Sequence, residues 1–197
     1  VHRFYLADNG SSDIERTKLL LRPYKQRKQV VLLDWQTRWS QDVFYNTIRP
    51  TIRDDADWAL VVDFDEFVYS RRGFGTIQEY LATVDSHVSQ VMLPPKHFGS
   101  SGWLSQPSSV VPNFLKRGLE AETTKVYCKS LVRVADLLRF DIHGHRVRHH
   151  TNSSCASCAV EDKCVISEDI LSSSALHYNH YILQSWEFYS TVKIPRG

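Results

Sequence analysis

Asp57-Trp58-Ala59-Leu60-Val61-Val62-Asp63-Phe64-Asp65-Glu66-Phe67 is the stretch whose reading decides the fold. From Trp58 to Val62 the residues are apolar without helical spacing, which predicts a strand buried on both faces, as in a parallel sheet. Carboxylates follow at once. Side chains alternate across a strand, so Asp63 and Asp65 are expected on one side and Glu66 on the other, at the strand's C-terminal edge. Open parallel sheets bind ligands at that edge. Two close carboxylates repel unless a cation lies between them, and Mg²⁺ or Mn²⁺ takes oxygen ligands while bridging phosphates. Acids at a strand end also suit a plain solvated turn. The buried run before them, and Phe64 and Phe67 between and after them, predict a partly desolvated metal and diphosphate site instead.

Upstream, Arg3 to Ala7 reads as a strand and Asp8-Asn9-Gly10-Ser11-Ser12-Asp13 as a turn. Ile14 to Leu21 then reads as a helix, with Ser12 and Glu15 as a capping box and Arg22-Pro23 as its end. A polar loop before a helix N-terminus offers free backbone N–H groups, and a carboxylate such as Asp8 can read a base or ribose. Asn-Gly is also ordinary turn chemistry. Val30 to Trp35 predicts a second buried strand. Val43, Phe44, Ile48 and Ile52 recur at near-helical spacing, with Pro50 kinking or ending that segment. Strand, helix, strand, helix, strand argues for right-handed crossovers and a mainly parallel central sheet flanked by helices.

Downstream, Thr76 and Glu79 form another capping box, and Ile77, Tyr80, Leu81 and Val84 share a helix face. Val88 to Leu93 reads as a strand that ends at Pro94-Pro95. The following His97-Phe98-Gly99-Ser100-Ser101-Gly102-Trp103 combines free backbone with aromatic faces, which suits a sugar-binding loop as well as it suits a turn. Val126 to Val134 and Phe140 to His149 have strand character. Among the histidines from 143 to 150, His143 is the best placed as a ligand, although Gly144 suggests a turn that breaks their common face. In the last segment Ile182, Trp186 and Tyr189 form a helical stripe expected to pack in the core. His180 at the helix entrance, Lys193 one helix later and Arg196 past its end are expected to converge on a diphosphate.

The whole chain of 197 residues fits one domain, with 42% hydrophobic and 23% charged residues. A net charge of +2 is too mild to indicate nucleic acid as a partner. No apolar run is long enough to cross a membrane, and the chain opens at Val1 directly in a strand pattern. Membrane contact is therefore expected only through segments outside it. The stretch near 150–166 lacks periodicity and reads as an insertion. Its Cys155, Cys158 and Cys164, with His149 or His150, suit a zinc site of three thiolates and one imidazole; with Cys128 they suit disulfides or free thiols equally.

In order along the chain, Asp8 to Asp13, the strand into Asp63-Phe64-Asp65-Glu66-Phe67, Phe98 to Gly102, Asn179-His180-Tyr181, Ser185, Glu187, Lys193 and Arg196-Gly197 resemble a known pattern. It is that of the GT-A fold glycosyltransferases, in the branch similar to families two and ninety-two. The resemblance implies a nucleotide-diphospho-sugar transferase, hexosyltransferase-like, that moves a sugar from a UDP-sugar to a glycan hydroxyl with inversion. It implies that Asp8 and Asn9 lie by the uracil or ribose, and that Asp63 and Asp65 are the D-x-D holding metal and diphosphate. It further implies that Phe98, Gly99 and Trp103 face the acceptor, and that His180, Lys193 and Arg196 close over the diphosphate, with His180 beside the metal. Members of this branch carry an earlier strand and helix with an Asn-Glu pair, which the chain as it starts lacks.

Read this way, a metal bound chiefly by Asp65 and helped by Asp63 neutralises the departing diphosphate while the acceptor oxygen attacks the anomeric carbon. Glu66, Glu120 and Glu122 are candidates for the base. A D-x-D also suits an aspartyl phosphotransferase, whose usual Thr or Val two residues after the second Asp is Phe67 here. The remaining alternative is a non-catalytic glycan- or zinc-binding module.

Overall fold

A strand, a helix and a parallel strand open the chain: β1 (Phe4–Asp8), α1 (Ile14–Gln26) and β2 (Val30–Asp34), with Phe4 beside Val30 and Asp8 beside Asp34. The computed structural model describes residues 3–35, 41–71, 73–118, 124–141, 146–147 and 163–196. After β2 come α2 (Gln41–Asp55), β3 (Trp58–Leu60), β4 (Glu66–Ser70), α3 (Ile77–Leu81), β5 (Gln90–Leu93) and β6 (Pro95–His97). Then follow β7 (Thr124–Tyr127), β8 (Lys129–Arg133), β9 (Leu137–Arg139), β10 (Arg146–Val147), β11 (Lys163–Ile166), α4 (Glu168–Ser173), β12 (Leu176–His180) and α5 (Trp186–Phe188). No helix among the described residues is long and apolar enough to cross a membrane.

The α/β class predicted from the sequence holds, but the sheets are partly antiparallel. β8 lies between β3 and β5 and is antiparallel to both. β12 lies between β4 and β6, antiparallel to the first and parallel to the second. The expectation of a mainly parallel sheet extrapolated the strand–helix alternation past β3, where it stops: the neighbour of β3 arrives from far downstream and runs the other way.

β8 is the structural axis. Lys129, Ser130, Leu131 and Val132 are all buried. Alternation sends Leu131 to one core, with Leu93, Leu176 and Tyr178, and Val132 to another, with Ile52, Val134, Leu137 and Phe140. Fully burying such a side chain stabilises by about 1.5–3 kcal/mol. Ile77, Tyr80 and Leu81 of α3 pack against the first core, on the predicted face. The cap predicted for α3 is present: Thr76 Oγ1 accepts from Glu79 N at 3.1 Å, while Glu79 Oε2 accepts from Gly75 N at 2.8 Å.

Several local expectations are corrected. Pro23 does not end α1, which runs to Gln26, because Arg27 N bonds back to Pro23 O and closes the last turn. The N-cap of α1 is Asp13 without a side-chain bond, not a Ser12–Glu15 box. Pro50 likewise lies inside α2. β3 is shorter than the apolar run and only partly buried, and Val62 is exposed. Trp186 is 60% exposed and Ile182 42% exposed, so the stripe in the last segment is not core. The segment after Ser185 is a single α-turn, a π-helical turn (Tyr189–Lys193) and a 3-10 turn (Ile194–Arg196), which breaks the 3.6-residue period assumed for it.

Cys128 is buried and disulfide-bonded. Within the stretch predicted as an insertion, Lys163 to Ile166 form β11, which pairs antiparallel with β7. Residues 148–162, His143, His145, Glu120 and Glu122 lie outside the described residues.

Candidate functional site

β3 ends early, and the chain reverses through Asp63-Phe64-Asp65 into β4. Glu66 N donates to Asp63 O at 3.1 Å and Asp63 N donates to Glu66 Oε2 at 2.9 Å, which locks the reversal. Asp63 and Asp65 thus lie in the connection and Glu66 opens β4, so alternation along β3 does not sort them. Asp63 and Glu66, expected on opposite sides, share one ammonium: Lys129 Nζ is 3.0 Å from Asp63 Oδ2 and 3.2 Å from Glu66 Oε2. Asp63 Oδ1 lies 3.5 Å from Gln41 Nε2. Phe64 does not shield the pair, being 84% exposed; Phe67 turns inward instead, edge-on to Tyr181 with centroids 5.6 Å apart.

Asp65 faces a second set of partners. Lys193 Nζ is 2.6 Å from its Oδ2 and His180 Nε2 is 3.8 Å from its Oδ1. Lys193 arrives at the end of the π-helical turn, a distortion frequent at functional sites. His180 is the last residue of β12, opposite Glu66 on one side and His97 on the other, rather than at a helix entrance. Burial pushes the His180 imidazole well below its usual range, and the cations Lys193 and Lys129 act in the same direction against Asp65. Burial likewise raises the Glu66 carboxyl, opposed chiefly by Lys129.

Asp65, His180 and Lys193 are therefore brought together. Phe98 joins them: its N–H donates to His180 O at 2.9 Å, and its ring stacks on Tyr181 at 4.8 Å, whose own N–H donates to Asp65 O at 2.9 Å. Gly99 N donates to Lys116 O at 3.0 Å, which holds the start of the loop. Trp103 is 43% exposed, with its indole N–H on Asn113 O at 2.9 Å. Its carbonyl accepts from Trp186 N at 3.1 Å, so two exposed indoles sit on adjoining segments. Ser185 Oγ donates to Gln106 Oε1 at 2.7 Å, and Gln106 N donates to Glu187 Oε2 at 2.7 Å. These bonds clasp the Trp103 loop to the last segment.

Asp8 and Asn9 stand at the C-terminal end of β1, where Asp8 is buried and Asn9 exposed. Asp8 Oδ1 accepts from Ser11 N at 3.1 Å, and these turn hydrogen bonds hold its carboxyl below the usual range. Gly10 takes φ 101°, the left-handed conformation that this turn requires. The side chain of Arg196 lies outside the described residues. A cleft of about 1110 Å³ runs along β1 and β3, lined by Tyr5, Leu6, Phe44, Ile48, Trp58 and Phe140 among others. It contains none of Asp63, Asp65, His180 and Lys193, and the charged groups on its mostly apolar walls are Arg3, Arg53, Asp55, Asp57 and Arg133.

Sequence reasoning missed Lys129 and Trp186. Lys129 follows Cys128 in an apolar run, where a lone lysine carries no positional signal; only its pairing shows its place. Trp186 was absorbed into a helical stripe that does not form.

Among the described residues no group of three His, Cys, Asp or Glu converges as a complete cage for an ion. Asp65 Oδ1 and His180 Nε2 do form an oxygen and nitrogen pair, and an imidazole kept neutral by burial retains a free lone pair. Mg²⁺ and Mn²⁺ sites next to phosphates use one or two protein ligands and complete the sphere from phosphate oxygens, so the residues fit such an ion bound together with a diphosphate.

No curated protein matches the chain. The sequence pattern of Glycosyltransferase family 92 matches residues 1–195, from β1 to the last 3-10 turn. Spanning nearly every element that builds the turn, the histidine strand and the lysine-bearing segment, that match establishes that the chain belongs to glycosyltransferase family 92 and is a glycosyltransferase.

Proposed function

We propose that the transfer runs from a UDP-sugar to a glycan hydroxyl, is metal-dependent and inverts the anomeric centre by single displacement. The observation that carries this reading is the convergence of Asp65, His180 and Lys193 from three separate segments. One carboxylate, one neutral imidazole and one ammonium are what a metal–diphosphate pair needs. A divalent ion held by Asp65 and His180 would supply charge neutralisation to the leaving diphosphate. Lys193 moves its ammonium from Asp65 to the diphosphate oxygens, and Arg196, close behind it in sequence, is the second cation assigned to them. Asp8 and Asn9 orient the nucleoside from the end of β1.

On the acceptor side, the exposed faces of Trp103 and Trp186 pack against pyranose C–H surfaces while Phe98 and Gly99 shape the floor. The acceptor oxygen forms its bond to the anomeric carbon as the bond to the diphosphate breaks, and its proton passes to a carboxylate. Glu66 is not that base: it is 2% exposed and bound to Lys129, out of reach of an acceptor in solution. Thermal unfolding with UDP tests the donor site. At about a hundred times the dissociation constant, UDP with Mn²⁺ adds about 2.7 kcal/mol, a rise of roughly 5–11 °C. UDP alone adds much less, and Asp65→Asn abolishes the gain. A folded wild type that shows no shift with UDP and Mn²⁺ would remove the UDP-sugar reading.

A further inference from the structure

The geometry points to Lys129 as a positioning residue of the donor site: a resident ammonium that fixes the carboxylate of Asp63 and takes the place beside it that a divalent ion would otherwise fill. This rests on the donor reading above and adds to it a residue that neither the D-x-D motif nor the family match specifies.

Lys129 opens β8, the strand between β3 and β5, and crosses to Glu66, the first residue of β4 in the other three-stranded sheet, and to Asp63 just before it. Its side chain is 2% exposed, as is that of Glu66, whereas Asp63 is 39% exposed. A buried ammonium is tolerated only when paired and hydrogen-bonded, and both partners here are carboxylates at 3.0 and 3.2 Å. Glu66 is held in turn by the Asp63 N–H at 2.9 Å. The result is an asymmetric D-x-D. The Oδ2 of Asp63 is occupied from inside by a protein cation, and the more exposed carboxylate is left with a fixed orientation toward solvent. Asp65 is paired instead with Lys193, a lysine with a 31% exposed side chain, and lies beside the imidazole of His180. Lys129 therefore acts through Asp63. It orients that carboxylate and offsets its charge beside an incoming diphosphate, which two unbalanced acids would repel.

A purely structural lysine and a positioning lysine predict different outcomes when the buried charges are removed together. Lys129→Met alone strands Glu66 and tests mainly folding. Lys129→Met combined with Glu66→Gln removes one buried charge of each sign, keeps the volume and leaves Asp63 without its anchor. UDP affinity in Mn²⁺ is measured by calorimetry on wild type, Glu66→Gln and the double variant, with thermal unfolding of each. The expected result is a double variant that unfolds within a few degrees of wild type but binds UDP roughly tenfold or more weakly, equivalent to about 1.4 kcal/mol. Glu66→Gln, which keeps the Lys129–Asp63 contact, stays within about threefold of wild type. A folded double variant with wild-type UDP affinity overturns the role of Lys129, as does a Glu66→Gln loss as large as that of the double variant. If the double variant does not fold, Asp63→Asn decides: the inference requires the same roughly tenfold loss, and unchanged affinity overturns it. A folded wild type that does not bind UDP with Mn²⁺ overturns the donor reading itself, an outcome distinct from wild-type binding retained in the double variant.

Discussion

Tyr181 is the residue through which the acid turn, the Phe98 loop and the end of β12 are fastened together. Its side chain is fully buried, stacks on Phe98 at 4.8 Å, meets Phe67 edge-on at 5.6 Å and approaches Phe114 at 6.5 Å. Removing an aromatic ring from a core typically costs 3–5 kcal/mol, and each aromatic pair contributes about 0.5–1.5 kcal/mol of such a loss. The hydroxyl contributes less, through a long 3.3 Å bond from Asn179 Nδ2 and a hydrogen bond with the Tyr69 side chain. Tyr181→Ala is therefore expected to lower stability by about 3–5 kcal/mol, a Tm decrease of roughly 6–20 °C for a chain of this size. Tyr181→Phe is expected to cost less than about 1 kcal/mol. Urea unfolding followed by tryptophan fluorescence measures both, with the slope checking that the transition remains two-state. A Tyr181→Ala cost below about 1.5 kcal/mol, or a Tyr181→Phe cost equal to it, would refute the claim that ring packing at this point holds the site together.

Two further outcomes follow from the charges. Burial, reinforced by Lys96, Arg71 and Arg117, pushes His177 down to about 4 from its ordinary 6.5. Between those values the unfolded chain binds a proton that the folded chain does not, so stability falls as pH drops through this window and is independent of His177 above it. The expected contribution is about 1–3 kcal/mol between pH 7 and pH 4; urea titrations of wild type and His177→Phe read it, and an identical pH slope in the two would contradict it. Lys193→Ala breaks a part-buried ion pair and should change stability by less than about 1 kcal/mol. Its loss to the diphosphate should weaken UDP binding in Mn²⁺ by about 10- to 100-fold, and calorimetry showing undiminished affinity would remove Lys193 from the donor site.

Much of this arrangement was legible in the sequence because it depends on short-range order. The opening strand–helix alternation follows from hydrophobic period, and the start of α3 from the spacing of Thr76 and Glu79. The acids at the end of an apolar run marked the site, and Lys193 and His180 were placed against Asp65 through the resemblance of the last segment. What could not be read depends on partners distant in the chain. That β8 inserts antiparallel between β3 and β5 is decided by register between residues some seventy and forty positions apart, to which local period is blind. The sharing of Lys129 by Asp63 and Glu66 follows from that same insertion. Strand alternation misassigned those acids because β3 ends at Leu60 and the chain turns at Phe64 and Asp65. Trp186 is exposed because Ile182 lies in a non-helical stretch and Trp186 only opens a short α-turn, so the expected stripe has no continuous helix to lie on.

The most direct test of the account is the release of UDP from UDP-sugars by the purified chain with Mn²⁺ and glycan acceptors, for wild type and Asp65→Asn. The account predicts acceptor-dependent UDP release by the wild type and a loss of at least roughly a hundredfold in Asp65→Asn, equivalent to about 2.7 kcal/mol of transition-state stabilisation. UDP release by Asp65→Asn at the wild-type rate, with the variant folded, would contradict the assignment of the reacting site to the turn at Asp65.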